Sequence, residues 1–195
     1  MTPRPLIVLA LCAAAAGCGR SPQGAENAAF TADQQATGTA SAVIVSEPTP
    51  PASAADFTAK AAAGDAFELQ AAQAALQRAA DPGVKSYAAM MIRDHGKSAA
   101  DLSKAVANSG QSLPAVGSPS AEQQFALAEL AHADAASFDK AYIVGQVKAH
   151  QAALTLMQDF AQNGDVPSLK AYAGRATAVV QHHYEMANQI LGQLK

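Results

Sequence analysis

Asp81–Val106 reads DPGVKSYAAMMIRDHGKSAADLSKAV, and the spacing inside it decides the fold. Asp81 offers a carboxylate to the free N–H groups of a helix start, and Pro82 suits the first turn, where no N–H is needed. Val84, Ala88, Met91, His95, Ala99, Leu102 and Val106 then recur at steps of three and four, which is one face of an α-helix. Arg93, Lys97 and Lys104 fall off that line and are expected to face water. Gly110 is the stop signal, so the helix is predicted to end near Asn108. One polar residue, His95, stands in an otherwise apolar line.

The same pattern extends outward in both directions. Upstream, a helix is predicted from Phe57 to about Ala80, capped by Asp56 or Thr58. Its inner line is Phe57, Ala61, Gly64, Glu68, Ala71 and Ala75, with Leu69, Ala72 and Leu76 beside it. The turn into the Asp81 helix is so short that the two must be antiparallel neighbours. Downstream, Ser118-Pro119 is read as the start of a third helix, interrupted by a kink at Ala133–Ser137. It resumes at Phe138, capped by Ser137, and runs to Asn163 with Ile143, Val147, His150, Leu154, Met157 and Ala161 inward. A fourth helix starts near Pro167 and reaches Leu194, with Leu169, Ala173, Ala176, Val180, His183, Ala187 and Ile190 inward. Val179, His182 and Met186 form an adjacent line, and spacing alone does not choose between His182 and His183. The fold class is therefore all-α, an antiparallel four-helix bundle with a kinked or split third helix.

Short internal matches support a bundle of two related hairpins. Val84-Lys85-Ser86-Tyr87-Ala88 parallels Leu169-Lys170-Ala171-Tyr172-Ala173, and the spacing from Phe57 to Gly64 repeats from Phe138 to Gly145. Gly96, Gly145 and Gly174 interrupt helices at about 1 kcal/mol each relative to Ala, for which close helix approach is the plain explanation.

The chain before Phe57 has another character. Arg4 precedes an apolar run, Leu6–Ala16, too short to span a bilayer comfortably. Ala15-Ala16-Gly17-Cys18 follows it and resembles a lipobox, with Ala15 where Leu is usual. Residues 1–17 are thus expected to be a lipoprotein-type signal segment and Cys18 the lipidated residue. Gly19 after the Cys favours the outer membrane over retention in the inner one. Residues 18–56 are rich in Ala, Ser, Thr and Pro and are expected to form a disordered linker holding domain 57–195 off the membrane. Cys12 and Cys18 are the only cysteines, so no disulfide staples the body. The net charge of -3 is small, and no basic run grips phosphate, so nucleic acid is not an expected partner.

The run from Phe57 through Gly64 and Glu68, the Asp94-His95 pair, Phe138-Asp139-x-x-Tyr142, His150 and His183 together resemble a bacterial family. This is the domain of unknown function 4142 (DUF4142) family. The resemblance covers about Phe57 to Leu194. It implies a ferritin-like bundle and export, commonly as a lipoprotein, but no established activity.

Glu68, His95, His150 and His183 place one ionisable residue on or beside the inner face of each helix. A di-iron centre of the ferritin kind needs Glu-x-x-His on two helices. Ile92, Val147, Val179 and Val180 stand three residues before the histidines, so that pattern is missing. One transition metal, zinc, copper or iron, held by these four residues is chemically reasonable. The competing reading is a structural network in which Glu68 and the imidazoles satisfy one another, fixing the register of an Ala-rich core. The missing spacing signature favours the network. His132 is expected at the surface, and Met90, Met91, Met157 and Met186 as core filling. No nucleophile elbow, zinc-protease helix or phosphate loop is present. The function expected is a non-catalytic, envelope-anchored binding or stress-related accessory protein, with a metal-binding or redox protein as the alternative.

Overall fold

The computed structural model describes residues 53–194. The signal segment, Cys18 and all but the end of the expected linker lie outside the described residues. Five α-helices follow in order: α1 Ala54–Arg78, α2 Pro82–Ala107, α3 Ala121–His132, α4 Phe138–Asn163 and α5 Pro167–Gln193. None is long and apolar enough to cross a membrane.

Local chemistry sets the helix starts; two of them, and the cap of a third, differ from expectation. Ser53, not Asp56 or Thr58, caps α1 by accepting from the Asp56 N–H, so the helix begins a turn early. Asp81 caps α2 as expected, accepting from Gly83 N and Val84 N. α3 starts after Ser120 rather than at Ser118-Pro119. The reason is a capping box: Ser120 Oγ accepts from Gln123 N while Gln123 Oε1 accepts from Ser120 N. Ser118 has Ala121 three residues on and cannot form one. α4 does begin at Phe138, but Ser137 makes no side-chain cap; its N–H and hydroxyl both donate to Asp134 Oδ1. The expected third helix is therefore two separate helices.

The four long helices form a ring in which α1 neighbours α2 and α4, and α5 neighbours α4 and α2. Neighbours are antiparallel. Phe57 at the start of α1 stacks on Phe160 at the end of α4, with centroids 4.0 Å apart. At the opposite end, the Asp139 carboxylate accepts from Ala80 N and Asp81 N. Ser168, early in α5, donates to the carbonyl of Ala105, late in α2. Residues 108–137 must therefore run the length of the bundle, roughly 40 Å at 1.5 Å per helical residue. Gly110 turns the chain with φ 68°. At Gly117 the crossover lies so close to α1 that an added Cβ would sit 2.9 Å from Ala63 N. α3 buries only Leu130. Arg78 holds its end, donating to the carbonyls of Leu130, Ala131 and Ala133 and packing over the Phe138 ring.

The core is two apolar clusters. One contains Val84, Tyr87, Met91, Phe138, Tyr142 and Ile143. The other contains Phe57, Leu102, Phe160, Leu169, Tyr172 and Ala173. Each large side chain so buried stabilises the fold by roughly 1.5–3 kcal/mol. Leu76, placed inward by spacing, is 43% exposed. Ala71, Ala72 and Ala75 hold the inner face of α1, and Leu76 falls beside it. An added Cβ at Gly96, Gly145 or Gly174 meets nothing within 4 Å, so close helix approach does not explain these glycines.

Candidate metal centre

Between the two apolar clusters the helices contribute a layer of buried polar residues: Asp65 and Glu68 from α1, His95 from α2, Gln146 and His150 from α4, and His183 from α5. Each lies on an inner stripe whose other members are apolar, so burying that stripe carries it inward. His183 is the inward residue of the α5 pair, and His182 is exposed. His132 is exposed, as expected.

His95, His150 and His183 come together. Their ring centroids form a nearly equilateral triangle with sides of 5.8, 5.6 and 5.4 Å. One ring nitrogen from each falls within 4.8 Å of the others. Each ring is oriented by its remaining nitrogen. His95 Nδ1 donates to Asp65 Oδ1 at 2.8 Å, and His183 Nε2 donates to Asp94 Oδ2 at 3.0 Å. His150 Nδ1 donates to the Gln146 carbonyl at 2.9 Å. A carbonyl only accepts, so this bond fixes the His150 tautomer and leaves a lone pair on Nε2 when the ring is neutral. His95 Nε2, His150 Nε2 and His183 Nδ1 are buried and have no hydrogen-bond partner among the described residues.

Glu68 is adjacent but is not one of the clustered groups. Gln146 Nε2 donates to its Oε2 at 2.7 Å, and its Oε1 lies 3.8 Å from His150 Nδ1. Burial raises its pKa, opposed in part by His95 and by the Gln146 hydrogen bond.

The three imidazoles differ electrostatically. Burial presses His150 down to about 3, and the neighbouring His95 adds to this. Burial also lowers His183, with the Asp94 hydrogen bond opposing. For His95 burial acts downward too, but the Asp65 hydrogen bond and the Glu68, Asp65 and Asp94 charges outweigh it and raise its pKa. At neutral pH His150 and His183 are therefore neutral bases with lone pairs available. Burial likewise raises Tyr87 and Tyr142, keeping both phenols protonated beside Glu68.

Asp65 and Gln146 were not singled out from sequence. Both have a visible signal: Ala61, Asp65, Glu68 and Ala72 recur at helical steps, as do Phe138, Tyr142, Gln146 and His150.

A family model described as "Domain of unknown function (DUF4142)" matches residues 32–190. The chain belongs to that family. The match begins well before Phe57, so the family extends into the stretch read as linker. No curated protein and no solved structure matches the chain.

Proposed function

We propose that this DUF4142 domain binds a single transition-metal ion through His95, His150 and His183. One observation carries the proposal: three buried histidines each offer a ring nitrogen within 4.8 Å of the others, and each has one ring nitrogen without a partner. A buried ring nitrogen without a partner is costly, at roughly 1–3 kcal/mol per unsatisfied group, and His150 and His183 each keep such a nitrogen as a neutral base. A shared cation removes that cost. The opposite nitrogens are held by two carboxylates and a carbonyl, the support that metal-bound histidines usually have. Bonds near 2 Å bring ligand nitrogens to roughly 3–4 Å from one another, so binding draws the rings slightly inward. Imidazole ligands suit zinc, copper or iron. Two hairpins joined by one long crossover also match the connectivity of ferritin-like bundles, which build metal sites from facing helices. The absence of Glu-x-x-His argues for one ion rather than a di-iron pair.

The test is metal loading followed by native mass spectrometry. One equivalent of Co(II) or Zn(II) should be retained by the wild type and lost in His150→Ala. Asp94→Asn should weaken binding roughly 10–100-fold, as loss of such supporting groups does. Substoichiometric retention in the wild type, or retention unchanged in His150→Ala, would sink the proposal. A metal-free structural network is favoured by the bonds of Glu68, Asp65 and Asp94, but it leaves the three nitrogens unpaired.

We further infer that the domain works in the cell envelope, tethered by a lipid on Cys18. The support is the signal-like segment and Ala15-Ala16-Gly17-Cys18. Cys18→Ser should move the protein from the membrane to the soluble fraction; unchanged fractionation would refute the anchor.

A further inference from the structure

The polar layer is backed by buried side chains on one side and bordered by a cleft on the other, with its unpartnered ring nitrogens buried beneath that cleft. Towards α1 and α4, His150 is 1% exposed and backed by Gln146 and Glu68, themselves 1% and 4% exposed. Towards α2 and α5 a cleft of about 250 Å³ runs from the surface to His95 and His183. Tyr172 and Ala176 line it, and Lys97 and Arg175 flank it.

From this asymmetry we infer that the centre keeps an open coordination position facing the α2/α5 cleft, where a small anion from solvent binds the metal. The inference rests on the three-histidine reading above. Three protein ligands leave a four-coordinate metal one position short, the arrangement of reactive rather than purely structural sites. Asp65 and Asp94 are bonded to the far nitrogens of His95 and His183, and Glu68 is held by Gln146, so none of the three carboxylates belongs to the cluster. Three neutral imidazoles bring no negative charge into direct contact with the metal, which favours an anion at the open position.

The cleft's own charges fit this. Asp94 is bonded to His183, and Asp101 pairs with Lys97 and Lys104. Arg175 has no ion-pair partner among the described residues and is exposed. The unpaired cation therefore stands at the entrance. The volume equals roughly eight waters at about 30 Å³ each, room for a small oxyanion or short carboxylate but not for a macromolecule.

Azide is the probe, titrated into Co(II)- or Cu(II)-loaded protein and followed by the metal's visible absorption. The wild type should show a saturable spectral change. Ala176→Phe, which fills the cleft, should weaken azide binding at least tenfold while retaining one equivalent of metal. Arg175→Glu, a surface change with little risk to folding, should weaken it several-fold, and more at low ionic strength. If metal binds stoichiometrically but azide leaves the spectrum unchanged, or binds Arg175→Glu as tightly as the wild type, the open position fails and the three-histidine site stands. If metal does not bind, both readings fail together.

Discussion

The two hairpins, α1/α2 and α4/α5, agree at their ends and diverge in the middle. Near the start of their second helices, Val84, Tyr87 and Ala88 on one side and Leu169, Tyr172 and Ala173 on the other are all buried. Tyr87 donates to the His183 carbonyl, and Tyr172 bonds to Ser98. Stepping eleven residues on from either tyrosine reaches Ser98 in one hairpin and His183 in the other. His95 likewise corresponds to Val180. The hairpins thus share the residues that pack and differ in the residues that cluster. An apolar core alone could close the bundle, so the polar layer reads as an addition that the packing supports.

The largest effects should come from the shared positions. Tyr87→Ala and Tyr172→Ala each remove a buried ring and should each destabilise by about 3–5 kcal/mol, by analogy with other large aromatic truncations. Denaturant unfolding of both checks the equivalence. A small loss at one tyrosine and a large one at the other would mean that the hairpins carry the core unequally.

The divergent positions should show themselves through pH. His150 and His183, both on the second hairpin, have lowered pKa values, and His95 on the first has a raised one. Between pH 6.5 and about 3 the unfolded chain protonates His150 while the folded chain resists. Metal-stripped protein should then lose stability on acidification, by up to about 1.4 kcal/mol per pH unit for one such group. His183 acts in the same direction. His95 acts oppositely: its contribution is full below the unfolded value and is lost as pH rises through its folded pKa. His150→Leu should flatten the acid limb of a stability-against-pH curve. An unchanged slope in that variant would assign the acid sensitivity elsewhere.

How much of this was legible beforehand follows the same division. The inner line of α2 was readable because Asp81 and Pro82 fix its start, and its large apolar residues mark one stripe. The three histidines were readable because each interrupts such a stripe. α1 was less so, since alanines on several faces look alike, and Leu76 was placed inward when Ala72 and Ala75 hold the face. The support of the rings was out of reach for a different reason. Asp94 bonds across to His183, and Asp65 across to His95, and such pairings depend on helix neighbours that no single helix's spacing encodes.

Helix starts give a smaller contrast. Asp81 caps α2 with two hydrogen bonds, whereas Val166 at the same place before α5 makes none and is buried in the core instead. Asp81→Ala should cost about 1 kcal/mol. Val166→Ser should also destabilise, because an added cap would not offset the lost apolar burial. Stabilisation by Val166→Ser in thermal unfolding would show that capping outweighs packing there.

The smallest effect tests whether the paired glycines serve the site. Gly64 and Gly145 hold the same place after Phe57 and Phe138, and each directly precedes a residue that orients a histidine, Asp65 or Gln146. Neither has a positive φ, and an added Cβ would meet no neighbour. Helix propensity then predicts that Gly64→Ala and Gly145→Ala each stabilise by about 0.5–1 kcal/mol. Both should keep their metal affinity if the backbone there is simply helical. Stabilisation accompanied by weaker metal binding in Gly145→Ala alone would mean that the second hairpin must flex at Gln146 to draw His150 inward, and the two hairpins would then differ in dynamics as well as in ligands.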